Sequence, residues 1–270
     1  MSQHLIRHPQ GFPPGYTPIT RMGEREADTG ISFGILRLKA GEEYRPSPEL
    51  EGALLLLDGE AHWSWADQQA TTQRRSLFDD DPSALHVPRG SEARVEAVSD
   101  CELAAFALQS DGEFPATLFD GRSMLESEHR GRGQLDDTAY RIVRTIFDGR
   151  NRPEAQLVLG EVVNLPGRWS SYPPHHHPQP EIYHYRFTEP EGYGHGELGD
   201  EVLKIRQHDT VKILDERDHS QVAAPGYGMF YIWAIRHLPG RPYTVPEFTE
   251  EHRWLLDEQP AVWQLKGGGR

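Results

Sequence analysis

Apolar residues along this chain fall in short runs at positions 31–38, 53–57, 103–108, 157–163, 182–187 and 229–235, rich in β-branched, leucine and aromatic side chains. Glycine and proline, 26 and 21 of them, are spread throughout and cut these runs apart, as many short strands joined by turns require. The pattern predicts an all-β protein. Helical periodicity is scarce, and one short helix is expected around residues 123–129. Residues 110–139 hold Gly, Asp, Ser and Arg with few apolar positions, so they read as a linker in mid-chain.

The two halves on either side of this segment are weak copies of one another. Each has a strand ending in a glycine turn (35–41; 161–167) and an apolar strand opened by a glutamate (Glu51; Glu181). Each then has a turn leading into a last strand (88–91 before Leu103; 216–219 before Met229). The repeat predicts two stacked antiparallel β-barrels. Their expected limits are residues 1–115 for the first barrel, 116–140 for the linker and 141–270 for the second.

The chain has 270 residues, enough for two modest cores. Cys101 is its single cysteine, so no internal disulfide is available and a reducing, cytoplasmic setting is expected. No stretch approaches the roughly 20 apolar residues of a membrane span, and no membrane partner is expected. The formal net charge of −14 opposes nucleic-acid backbones. An anionic small molecule would need a local reversal of that field.

The segment Pro173-Pro174-His175-His176-His177-Pro178-Gln179-Pro180-Glu181 carries the chemistry. In extended chain, residues 175, 177 and 181 share one face and His176 turns away, so two imidazoles and a carboxylate converge. Such ligands suit one divalent transition metal, zinc, manganese, iron or nickel, with no thiolate to select otherwise. The internal repeat nominates His219, at the turn before the last strand, as a fourth ligand. His184, His195, His208 and His237 lack that positional argument. Counting back from Glu51 as from Glu181 puts Ser47 and Arg45 where His177 and His175 stand, with Ser91 opposite His219, so the first barrel is expected to bind no metal.

The pattern His175-x-His177-x-x-x-Glu181 with a distant His219 resembles the three-His, one-Glu metal motif of cupins. More narrowly, Gly167-Arg-Trp-Ser-Ser-Tyr-Pro-Pro-His175, the Tyr183–Phe187 run, and His219-Ser-Gln-Val-Ala-Ala-Pro-Gly-Tyr227 are similar to the 5-deoxyglucuronate isomerases of inositol catabolism. Glu51–Gly59 and His86–Gly90 extend the likeness into the first half. Hexulose-uronate ketol-isomerases are a broader relative. The chain departs from the family in exchanging Tyr and His at positions 184 and 185, in a shorter spacing between His177 and Glu181, and in residues 236–243 beyond the usual ending.

The resemblance implies a bicupin fold and a metal-dependent aldose–ketose isomerase acting on a deoxy-uronic acid, with self-association at an interface the sequence does not locate. Strand parity turns Tyr183 and Tyr185 toward the metal as candidate catalytic groups. Arg186, with Arg168 and Arg236, is a candidate for holding the substrate carboxylate. A metal-dependent dioxygenase and a non-catalytic sugar-acid-binding bicupin fit the same ligand set and stay open at this point.

Overall fold

Strand and turn alternate as the glycine and proline punctuation requires in the computed structural model, which describes residues 2–266. Among the described residues, the helical elements are two 3-10 turns, Leu135–Asp137 and Glu250–Leu256, and no helix is long and apolar enough to cross a membrane. The helix expected around 123–129 is instead a turn running into the short strand Glu128–Arg130. With few apolar residues there and left-handed glycines at 131 and 133, a helix would have no face to bury.

The strands form a nine-stranded sheet in the first half and, in the second, a seven-stranded sheet and a five-stranded sheet. Strand pairing along these sheets runs in open paths, so the described residues form a mostly β molecule of two lobes, without the ring closure that would make each lobe one of the two expected stacked barrels. In the first lobe, the 15-residue strand Glu51–Trp65 changes neighbours midway. The change follows a register shift between Leu56 and Asp58 and left-handed Gly59 (φ +93°), where a Cβ would lie 2.4 Å from the Asp100 carbonyl oxygen. Such a bulge with glycine bends a strand and lets one sheet fold over its own core.

Three apolar clusters result. One fills the first lobe around Leu54, Leu56, Trp63 and Leu103. Another fills the second around Tyr183, Tyr185, Ile205 and Tyr231. The third is the seam between lobes, where Ala53, Leu55 and Phe106 of the first meet Ile182, Phe230 and Ile232 of the second.

The seam corrects the internal alignment. Along Glu51–Trp65 the odd-numbered Ala53, Leu55 and Leu57 face the seam, whereas along Glu181–Phe187 it is the even-numbered Ile182 that does so. Glu51 therefore points between the lobes, and Gly52 occupies the parity of Glu181. The Glu51 carboxylate accepts from the backbone N–H groups of Gln156 and Leu157, each at 2.9 Å, and pairs with His86 Nε2 at 3.0 Å. Burial opposes its ionisation, but the hydrogen bonds from His86, Ser110 and Gln156 overcome this and hold the carboxyl below its ordinary range.

The seam also holds a charge cluster. Glu161, fully buried, receives two hydrogen bonds from Arg74 at 2.6 and 3.0 Å and one from Arg144 at 3.0 Å. The spare N–H groups of both arginines reach backbone carbonyls of residues 56, 77, 78 and 80. Chain ends and the middle segment cross over as well: Leu5–Ile6 pairs with Thr210–Ile213, Thr117–Phe119 joins the first-half sheet, and Glu128–Arg130 joins the seven-stranded one.

Two outcomes follow for stability. Glu161→Ala leaves two desolvated guanidiniums without their anion and should lower the unfolding free energy in urea by about 3–5 kcal/mol. Acid should also weaken the fold through buried histidines. His86, stacked between Phe114 and Phe147, and His184, against Phe33, have pKa values pulled below 6.5, chiefly by burial. Since the unfolded chain binds protons that the folded one refuses, their contribution is complete above about pH 6.5 and is lost as pH falls from there toward the depressed values. Melting temperature should drop between pH 7.5 and 5.5, and His86→Gln should have a shallower pH dependence than the wild type.

Candidate metal centre

Three segments of the second lobe build the centre. Strand Trp169–His176 runs out through His175, residues 177–180 turn the chain, and strand Glu181–Phe187 begins at the carboxylate. Strand His219–Ala223 lies beside the first of these, with His219 directly opposite His175 in the ladder. The neighbouring strand thus delivers the histidine that the internal repeat nominated.

The ligand atoms of His177, Glu181 and His219, all buried, lie within 4.8 Å of one another. His177 Nε2 is 3.1 Å and His219 Nε2 3.6 Å from the same Glu181 oxygen. Tautomers follow from the other ring nitrogens. His177 Nδ1 sits 3.0 Å from the Gln179 carbonyl oxygen and His219 Nδ1 3.1 Å from that of Arg217. A carbonyl can only accept, so in the neutral rings each Nδ1 carries the proton and each Nε2 turns a bare lone pair toward a carboxylate. His219 Nε2 has no hydrogen-bond partner although it is buried. Lone pairs and a carboxylate facing one another in a dry site repel unless a cation lies between them, and backbone carbonyls fixing the outer nitrogens are the usual support for metal-binding histidines. The residues fit a divalent metal. Burial holds the His219 pKa down to about 4, which keeps its ring neutral.

His175 stands at the edge of this set, its ring centroid 4.5 Å from that of His219 and 6.4 Å from that of His177. Burial and the two neighbouring imidazoles hold its pKa well below the ordinary value. His176 turns away, as parity predicts, and pairs with Asp218 at 2.7 Å.

The pocket beside the cluster is lined by Tyr183, Tyr231, Trp233, Tyr243, Ser170 and Ser171, and by the charged residues Arg130, Arg141, Asp148 and Arg150. Burial, followed by the charge of Glu181, raises the Tyr183 phenol well above its ordinary pKa, and burial does the same to Tyr231 and Tyr243. All three are hydrogen-bonding phenols at neutral pH. Tyr231 exchanges a 2.6 Å hydrogen bond with Ser170, and the Tyr243 ring packs 5.0 Å from that of His177.

Among the expected catalytic residues, only Tyr183 lines this pocket. Tyr185 shares its strand face but donates its hydroxyl to Gln221 at 2.5 Å and borders a separate small cavity behind the cluster. Arg186 lies on the opposite strand face, in the seam, where it binds Glu102 at 2.6 Å and touches His184. It is therefore not placed to hold a ligand at the metal centre. The even-numbered position that turned His184 away from the metal turned Arg186 away too. His208 packs on Phe12, and His237 accepts the backbone N–H of Tyr243. No motif marks Arg130, Arg141, Arg150 or Tyr231, which reach the pocket from three strands and a turn. Tyr243 had a signal, since it sits in the segment that extends past the family's usual ending.

The model of the KduI/IolB family matches residues 4–255. A relative named 5-deoxy-glucuronate isomerase, from Geobacillus kaustophilus, is 27% identical over 255 residues, covering 87% of this chain and 88% of its own. Among solved structures, an IolB-like protein from Salmonella typhimurium LT2 superposes with a TM-score of 0.82 at 24% identity, covering 95% of this chain and 100% of its own. A cupin 2 conserved barrel domain protein from Leptotrichia buccalis gives 0.50 at 10% identity, covering 87% and 90%. With a cupin-like fold, a His/Glu/His cluster in its second lobe and a family match running across nearly all of its length, this chain belongs to the KduI/IolB family.

Proposed function

We propose that this chain is a metal-dependent aldose–ketose isomerase that converts 5-deoxyglucuronate to 5-dehydro-2-deoxygluconate in inositol breakdown. The observation that carries the reading is the convergence of two bare imidazole nitrogens on one buried carboxylate, in a family whose curated relatives bear that isomerase name. His177, Glu181 and His219 would hold the metal, with His175 closing the set from the strand edge. The second lobe, within residues 141–270, does the chemistry, and the first supports it across the seam. Cytoplasm is the proposed setting, consistent with the buried, unpaired Cys101.

A divalent ion held there supplies Lewis acidity toward the carbonyl and hydroxyl oxygens of the substrate. The surrounding side chains do the rest. Tyr183, Tyr231 and Tyr243, kept protonated by burial, donate hydrogen bonds that orient those oxygens. With pKa values raised, none of the phenols is suited to remove a carbon-bound proton at neutral pH. Trp233 and the tyrosine rings exclude water from the reacting carbons.

One metal per chain is expected by elemental analysis, retained in His176→Ala. In His219→Ala it should weaken by more than the roughly 10–100-fold typical of outer-shell changes. Equal losses in the two variants would remove His219 from the ligand set. Turnover is tested by NMR of 5-deoxyglucuronate with metal-loaded protein in deuterated water without oxygen. Solvent deuterium should appear at C2 of the aldose; its absence, with metal bound, would replace the isomerase by a sugar-acid binder, and a strict need for oxygen would point to dioxygenase chemistry. Tyr183→Phe should lower kcat/KM by about tenfold or more through one lost hydrogen bond to substrate, whereas Tyr185→Phe should cost about 1 kcal/mol of stability and little rate.

A further inference from the structure

Arg141 opens strand Arg141–Phe147 and shares the pocket-facing side of that strand with Val143 and Thr145. It is 9% exposed, and its side-chain hydrogen bond among the described residues runs from Nη1 to the Ala139 carbonyl at 2.8 Å. Among the described residues it forms no ion pair, which sets it apart from the other two arginines that line the pocket. Arg74 and Arg144 lie on Glu161, and Arg186 lies on Glu102. Arg130 and Arg150 at the pocket are taken up by Glu128 and Asp148. Arg152, also buried without a carboxylate, is covered by the faces of Phe114 and Phe119 and bonded to Pro115 and Thr117.

A buried guanidinium with one carbonyl partner is under-compensated, and the remaining N–H groups must be answered by whatever enters the cavity they line. With Arg130 and Arg150 answered by Glu128 and Asp148, Arg141 is the lining arginine whose charge is left for an entering anion, although the chain as a whole is negative. The charge of Arg141 also bears on His175 and on Tyr231, which line the same cavity.

We propose that Arg141 is the carboxylate-recognition residue of this site. It takes the anionic end of a sugar acid in a two-pronged hydrogen bond while the carbonyl end lies at His177, Glu181 and His219. The planar fork of guanidinium matches a carboxylate in this way, and an ammonium does not. The assignment rests on the sugar-acid reading of the pocket and deepens it by naming the group that distinguishes an acid from a neutral sugar.

The test is calorimetric titration of zinc-loaded protein with D-glucuronate and with D-glucose, which differ only at the end that Arg141 would read. Wild type should prefer the acid by tenfold or more. Arg141→Gln should bind the two sugars equally within about threefold, and Arg141→Lys should lose about a factor of ten of the preference. Zinc content should be unchanged in both variants, and Arg168→Gln, away from the pocket, should keep the wild-type preference. If Arg141→Gln does not fold by circular dichroism, the lysine variant decides. The proposal is overturned if the folded variants keep the wild-type preference, or if wild type has none. Deuterium exchange separates this from the reaction itself: a preference that depends on Arg141 in a protein showing no exchange retains the clamp and removes the isomerase, whereas exchange with the preference intact in the variants removes the clamp alone.

Discussion

Strand Glu181–Phe187 is buried on both faces, and the pleat of an extended chain gives each of its side chains one of two destinations. Odd positions enter the second lobe, where Glu181 meets the imidazoles and Tyr183 the pocket; even positions enter the seam, where Ile182, His184 and Arg186 meet the first lobe. A slip of one residue would exchange the two sets, burying Arg186 in the second lobe and pulling Glu181 away from its histidines. The His/Glu/His cluster and the lobe interface are therefore held by the same register. Central strands Leu157–Asn164 and Met229–Arg236, paired in sequence beside it, enforce that register across the sheet.

Charge in the interior follows a consistent rule. Glu161 with Arg74 and Arg144, Glu102 with Arg186, and Glu51 with His86 and two backbone amides are each matched, and each ties the first half of the chain to the second or lies beside a tie that does. Matched pairs of this kind add little net stability over apolar packing, yet breaking one is expensive, so they fix how the lobes meet more than how tightly. Against that background two under-compensated groups lie in the second lobe, the lone pair of His219 and the guanidinium of Arg141.

How much of this was legible in the sequence depended on range. Parity within one segment located His175, His177 and Glu181, turned His176 away, and assigned both faces of the following strand, because alternation is a local property of extended chain. The repeat correctly brought His219 beside them. It failed at Glu51, since a weak copy fixes the order of elements but not their phase, and one residue of offset sends a side chain to the opposite face. Arg141 and Tyr231 were hidden for a different reason. They reach the pocket from separate strands, and nothing local distinguishes an arginine aimed at a cavity from one aimed at solvent. Arg186, close in sequence to the histidines, faces the seam and binds Glu102.

The pairing of Leu5–Ile6 with Thr210–Ile213 has a consequence for how the molecule is made. These residues leave the ribosome some two hundred positions apart, so the earliest strand has no ladder to join until most of the chain has been synthesised. Its edge must be sheltered or tolerated meanwhile. The pocket beside the His/Glu/His cluster has the same dependence on late arrivals, since Tyr243 and the strand Glu247–Phe248 that lies against His175 come after all of these residues. Nascent chains thus pass through a stage in which the histidines are present but the pocket wall is not, and the complete pocket is among the last things to form.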